Sequence, residues 1–483
     1  MITPSTLNAA NQSRSDARRG YIDPNRDRGN LFVLTNHQVT KIIFNGTKDS
    51  SGNLVASGVN FQADGSSPSL SAYAAKEIIV TSGAVGSPKV LQLSGIGPAD
   101  YLSSIGVASV VDLPVGHNFQ DHASHTMFWD TVEGIDTWFG LRDEATAAAA
   151  LTEYENGRTG LWTYINEAVA YASQPDLSGG ASEAANFANS VDVNAMVSAL
   201  ASKYGMNSAV QAGVAAQFEI QKKWLTQDVG NFEFIMHLLG KSATSIGIQV
   251  CLQHAFSRGT VMISSSDPFA MPYIDPNYLG VDIDVTMVML ATEFIRKYAQ
   301  TDPMSTILTT EAVPGAETTG DALAAHVKTT VGTEYHPMSS CSMLPKDKGG
   351  VVDTRLVVYG TSNVRVADAS IMPVHVSAHL MASTYGVAEK VSDLIKEEQE
   401  AKAKAAAAAA AKTSSISKTA TSTSAPKSAT SAPSSSGSST ASKSSAGDSS
   451  ISTGAKIGIG IGAGVAAILI AAALVSRAQS VLS

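Results

Sequence analysis

Cysteine is nearly absent: Cys251 and Cys341 are the only two in 483 residues. Two thiols exclude a disulfide framework and a cysteine-built zinc cluster. Both read as buried free thiols, with a single bridge as the alternative. Charge is sparse too, at 16% of residues and a net −9, and no Lys/Arg-dense block occurs. That balance argues against a nucleic-acid partner. No apolar stretch follows Met1-Ile2-Thr3-Pro4, so the start does not read as a secretory signal. A strand–G-x-G-x-x-G–helix unit, the usual seat of a dinucleotide pyrophosphate, is also missing. What remains is a chain with 44% hydrophobic residues, enough for sizeable cores and, at about 150 residues per domain, for two or three of them.

The body runs from about residue 14 to 396. Near its start, Asn30 to Thr35, Val39 to Phe44 and Val55 to Phe61 are β-rich runs separated by polar turns. Lys76 to Val80 reads as an apolar strand of a parallel sheet, followed by a helix starting near Ser87-Pro88. Residues 130–335 alternate helical, alanine-rich stretches (Glu144 to Glu155, Asn186 to Tyr204, Ser208 to Trp224) with strands. Among these, Ser245 to His254 and Gly259 to Ser264 are expected as a strand pair turning at Phe256-Ser257-Arg258. This is an α+β unit inserted between two parts of an α/β domain, 1–129 and 336–396. Residues 397–455 open with an alanine-rich helix former and turn to Ser, Thr, Ala and Lys, a linker that packs no core. Ile457 to Val475 is then uncharged for 19 residues between Lys456 and Arg477. That length matches a membrane span (456–477); a removed lipid-anchor signal is the rival reading. Asn11-Gln12-Ser13 and Asn45-Gly46-Thr47 are glycosylation sequons. With the tail, they place the protein on the secretory or extracellular side of a membrane.

Chemistry concentrates in Tyr335-His336-Pro337-Met338-Ser339-Ser340-Cys341, Val366-Ala367-Asp368-Ala369-Ser370 and Ser377-Ala378-His379. His336 and His379 are 43 positions apart with a strand between them. Two imidazoles meeting in one pocket hold a substrate hydroxyl, and a neutral imidazole, with an ordinary pKa of about 6.5, takes its proton as hydride leaves the carbon. That is alcohol oxidation, with His336 as base and His379 as orienting partner, or the reverse. His375 and His379 at i,i+4 lack a suitably spaced third ligand and follow Pro373, so no metal site is expected. His37, His237, His254 and His326 read as ordinary histidines, and His122 and His125 as packing beside Asp121.

The string Gly83-Ala84-Val85-Gly86-Ser87-Pro88-Lys89-Val90-Leu91-Gln92-Leu93-Ser94-Gly95-Ile96-Gly97 is the most specific linear pattern. It resembles the second signature of the glucose–methanol–choline oxidoreductases, FAD enzymes that oxidise alcohols. Val115-Gly116-His117-Asn118-Phe119-Gln120-Asp121-His122 and the block from His336 to Ile395 resemble later motifs of that family. The resemblance covers nearly all of residues 14–396 and is strongest toward fungal glucose and aryl-alcohol oxidase-like members. It implies an α/β FAD-binding domain, incomplete at its start, with an inserted α+β substrate-binding domain, then a disordered linker and one transmembrane helix. It further implies Val39 at the adenine, Asn118 near the flavin, and Asp368 and Ala369 at the ribityl–pyrophosphate side. His379, Leu380 and Met381 fall at the flavin's pyrimidine edge, and His336 and His379 at the catalytic pair. Substrate would be an alcohol or sugar, and oxygen or a quinone-like compound the electron acceptor. Ser339-Ser340 stands where the family has Gly-Thr, and the family's opening glycine-rich unit has no counterpart, so the chain is expected to begin partway through the pattern. Two other readings stay open: a noncatalytic surface glycoprotein, and cyanohydrin cleavage on the same fold.

Overall fold

Alternating burial along Gln38–Lys48 (β1) turns Thr40 and Ile42 inward, and β1 pairs antiparallel with Leu54–Gln62 (β2), which pairs with Leu70–Tyr73 (β3). The computed structural model describes residues 7–8, 10–164 and 168–420. The run at residues 30–35 joins no sheet. Phe32, Val33 and Leu34 are 88, 58 and 61% exposed, so β propensity found no partner edge to satisfy it. Ile78–Val80 (β4) is shorter than expected. Its parallel partner comes from far along the chain, and Ile79 is 42% exposed on one face. Gly83–Leu93 (α1) starts four residues before Ser87 and takes Pro88 into its second turn. The left-handed Gly83 (φ +77°) makes the reversal from strand to helix. On its buried side α1 brings Val90 and Leu91 against Ile42, and its end is tied to β1 by the Ile42 N–H donating to Ser94 Oγ at 2.8 Å.

The larger sheet gathers six strands. Ala123–Thr131 (β5) lies near its middle; Glu144–Gly157 (α2) and Val169–Ala172 (β6) follow in the chain. The stretch expected as one helix over 186–204 is two, Ala181–Asn189 (α3) and Val193–Tyr204 (α4). Asp192 breaks it because its carboxylate accepts the Ala195 N–H at 3.0 Å and caps the second helix. Ser208–Trp224 (α5) has the bounds its periodicity predicts. Phe232–His237 (β7) and Ser245–Leu252 (β8) complete the centre, giving the antiparallel order β6-β7-β8-β5.

β8 does not form a hairpin with the strand after Arg258; Thr260–Met262 (β9) pairs instead with Tyr273–Asp275 (β10). The segment between them is a buried hub rather than a turn at the surface. Asp284, at the start of Asp282–Ala299 (α6), accepts from the N–H groups of Phe256 and Ser257, each at 2.8 Å. Arg258, fully buried, donates to Ala255 O, Ser257 O, Gln217, Gln221 and Asn118. Satisfying those groups inside the protein separates the two strands. Leu308–Val313 (β11), with irregular register, and Gly332–Thr333 (β12) both pair with β5, and Gly320–Thr330 (α7) lies between them in the chain. Phe218, Phe232, Phe256, Ile248 and Met287 form the centre of this half's core, each no more than 2% exposed.

Val364–Val366 (β13) is the parallel partner of β4. With Val80, Leu91, Val115 and Val358 it builds a second core. Leu380–Ala420 (α8) closes the described chain. The alanine-rich helix former that opens the linker is helical, carried by the high intrinsic propensity of its Ala, Glu and Lys, and the helix runs on to Ala420. Among the described residues no helix is long and apolar enough to cross a membrane; the apolar run 457–475 lies outside them.

Candidate active site

Two chain reversals carry the site. In the first, Asp121 takes the backbone N–H of His336 at 3.0 Å and also accepts from the hydroxyls of Tyr278 and Thr333. Tyr335 beside it is left-handed (φ +65°) and 84% exposed, and this turns His336 inward. Ser339 follows with φ +74°, where the family has glycine. Its side chain there meets a strain of about 1–2 kcal/mol. Hydrogen bonds offset this, since its Oγ donates to Met372 O at 2.5 Å and accepts from Gln120 at 2.8 Å. In the second reversal, Ser377-Ala378-His379 leads directly into α8. His375 and His379 therefore lie ahead of the helix, not on one of its faces. They do not make the i,i+4 pair, and His375 stacks on His122 instead, with centroids 3.9 Å apart.

The rings of His336 and His379 meet, with centroids 5.0 Å apart. His336 Nδ1 is 3.1 Å from His122 Nδ1 and 3.4 Å from Glu334 Oε1. His379 Nε2 is 2.8 Å from Glu233 Oε1 and 3.6 Å from Glu334 Oε1. Gln253 Nε2 donates to both acids, at 2.9 Å to Glu233 and 3.2 Å to Glu334. The acids are buried but differ in their surroundings. Burial pushes the Glu233 carboxyl up, against its bond to His379. Burial would raise Glu334 too, but the imidazoles of His122 and His336 outweigh it and hold that carboxyl well below its usual range. The bond to Glu233 raises His379 above the ordinary imidazole value.

His122, Glu233, Gln253 and Glu334 were missed as site residues in the sequence. In the sequence His122 reads as packing, yet its Nδ1 lies 3.1 Å from that of His336. Two signals were available: Glu334 is two residues from His336, and Glu233 interrupts the apolar run Phe232 to Met236. His254 also approaches the second reversal, its Nε2 2.9 Å from Ser377 Oγ. A small pocket is lined by His117, Asn118, Val214, Gln217 and Ser342. It includes neither His336 nor His379, so the proton chemistry is not there.

The other expected site residues lie on β1, ahead of β5, just after β13 and at the start of α8. Val39 is 37% exposed on β1, an edge strand. Asn118, left-handed at φ +62°, spends its side chain internally, donating to Ser342 and Pro373 and accepting from Arg258. The Asp368 carboxylate accepts the Gly83 N–H at 2.9 Å and the Ser87 hydroxyl at 2.5 Å, binding β13 to α1. Ala369 is half-buried, Leu380 buried and Met381 half-buried. For the FAD that the resemblance implies, the ring end fits these residues. His379 is 46% exposed by its side chain at the amino end of a long helix, where partial positive charge favours an anion. Nearby, both ring nitrogens of the buried His375 have no hydrogen-bond partner. A glycine-rich pyrophosphate seat is not among the residues of this chain.

Known proteins resemble this chain in sequence and in fold. Two family models described as GMC oxidoreductase match residues 4–124 and 255–388. The GMC oxidoreductase family protein Mala s 12 of Malassezia sympodialis is 37% identical over 400 residues, covering 82% of this chain and 60% of its own length. Glucose oxidase 2 of Penicillium expansum is 30% identical over 390 residues, covering 80% and 58%. Among solved structures, an FAD-dependent oxidoreductase from Chaetomium thermophilum superposes with a TM-score of 0.73 at 29% identity, covering 82% of this chain and 66% of its own. A fungal aryl-alcohol oxidase gives 0.71 at 30%, covering 80% and 64%. The chain thus spans about 60% of the length of the curated relatives it matches. With both family models in order along the sequence and the fold shared with these oxidoreductases, the chain belongs to the GMC oxidoreductase family.

Proposed function

We propose that this protein is an FAD-dependent oxidoreductase acting on the CH–OH group of an alcohol or sugar, with His336 as the proton acceptor. The observation that carries the reading is the meeting of the His336 and His379 rings at 5.0 Å. Relatives named glucose oxidase and aryl-alcohol oxidase support the substrate class. FAD, when bound, supplies the hydride acceptor; its ring end would be held by His379, Leu380 and Met381, and its adenine side by Val39. The protein's own residues manage the proton. His336 Nδ1 faces His122 and Glu334, which leaves Nε2 to take the proton of the substrate hydroxyl. The neighbouring Glu334 carboxylate steadies the imidazolium that results. Glu233 fixes His379 through Nε2, leaving its Nδ1 to orient the substrate oxygen. Oxygen or a quinone-like compound then takes the electrons. We place the enzyme on the outer side of a membrane, tethered by residues 457–475.

The test is anaerobic reduction of the FAD-loaded protein by primary alcohols and aldoses, followed by turnover of a His336→Ala variant. Substrate should bleach the flavin, and His336→Ala should lower turnover by about two or more powers of ten. Unchanged kcat in that variant would remove His336 from the mechanism. A folded protein that takes up no FAD would favour the noncatalytic surface glycoprotein.

A further inference from the structure

We infer that His122, His336 and Glu334 form a binding site for a divalent transition-metal ion of the Zn2+ type. Two imidazoles and a carboxylate are the donor set such ions take from proteins. The spacing suits them as well. His122 Nδ1 and His336 Nδ1 are 3.1 Å apart; Glu334 faces the first with Oε2 and the second with Oε1, each at 3.4 Å. Ligand atoms roughly 2.0–2.2 Å from a tetrahedral centre lie about 3.3–3.6 Å from one another. With one Glu334 oxygen facing each ring, the carboxylate can reach an ion through either oxygen or both.

The trio is a built site. The side chains of His122 and Glu334 are 0 and 4% exposed, and that of His336 is 14%. Glu334 Oε1 is buried and has no hydrogen-bond partner, and it lies 3.4 Å from His336 Nδ1. Supporting contacts fix each ligand. Gln253 donates to Glu334 Oε2, the Glu334 N–H donates to His122 O at 3.1 Å, and Asp121 holds the backbone of His336. Such contacts orient ligands and raise affinity. Glu233 and His379 also face Glu334 and form an alternative trio with it. They are already paired at 2.8 Å, and His379 is 46% exposed, so the buried trio is the stronger site. Three protein ligands leave the fourth position to water, on the side where His336 opens.

Two facing Nδ1 atoms share at most one proton between them, whereas a cation takes both lone pairs. With a metal on Nδ1, the neutral ring of His336 carries its proton on Nε2, the nitrogen assigned above to the substrate. Occupancy would then switch the base off. That consequence rests on the proposed function; the binding itself does not, and its test involves no turnover.

The chelator-treated full chain should bind one equivalent of Zn2+ in equilibrium dialysis. With Co2+ it should show the intense visible bands of a four-coordinate ion. Glu334→Gln and His122→Asn, checked for native circular dichroism, should weaken binding at least tenfold, while the surface variant His37→Ala binds as wild type. X-ray absorption of the Zn2+-loaded wild type should report two imidazoles with oxygen, which reads the site even if a variant fails to fold. No stoichiometric uptake, a six-coordinate or sulfur-containing shell, or undiminished binding in both folded variants would overturn the assignment.

Discussion

Arg258 is the residue whose role differs most from its sequence reading. In sequence it sits in an apparent turn; in the fold it is buried, with its guanidinium over the Phe218 ring at 5.0 Å. Burial pulls its pKa down to about 9, while the nearby Asp284 opposes the fall. Replacing it would leave the Ser257 carbonyl and the Asn118 amide oxygen without a donor, while Ala255 O keeps its bond from Gln221. Each lost bond from a charged group is worth about 1.5–3 kcal/mol. Arg258→Ala should therefore cost about 3 kcal/mol or more, read as a fall in the urea midpoint; a change under about 0.5 kcal/mol would contradict the hub. Asp121 acts on the site through backbone geometry. Asp121→Ala should lower kcat while leaving flavin binding intact, because a displacement of about 1 Å in a reacting group can cost on the order of a hundredfold. Unaltered kcat would show that His336 holds its place without that anchor. His336 and His379 were legible in the sequence because the motifs around them are specific. Glu233 and Glu334 were not, since they lie outside the motif strings, and His122, which ends one of them, reads there as packing.

Among the elements, those with local signals were read well. α5 has the predicted bounds, and β1 and β2 follow their alternating pattern. The errors came where a tertiary or capping group decided. Asp192 splits the long helix by accepting the Ala195 N–H, a side-chain choice that apolar periodicity does not register. Asp192→Ala should cost about 1 kcal/mol, measured by thermal melting, and an unshifted melting temperature would show that the break is set by packing alone. β9 left its expected partner because β10 offered a pairing edge and the hub drew the intervening residues inward. The exposed run at 31–34 shows the converse, a sequence with β propensity and no edge to join.

At the scale of the whole molecule, buried histidines set the response to acid. Burial holds His117 and His125 near pKa 4 in the folded chain, against an ordinary value of about 6.5. Between those values the unfolded chain binds protons that the folded one refuses. Stability is therefore full above about pH 6.5 and declines as pH falls toward 4, by roughly 1.4 kcal/mol per unit for each histidine. The denaturant midpoint should be lower at pH 5 than at pH 7, and His125→Asn should flatten the decline; equal midpoints would contradict it. The sequence by itself determined the family and brought forward His336 and His379 as candidate site residues, because both rest on short-range motif pattern. Only the tertiary structure decided that an acid from a sheet strand and another beside His336 would face one pair of imidazoles. Contacts between residues more than a hundred positions apart depend on how the sheet is ordered and how loops are anchored, and no local pattern encodes either.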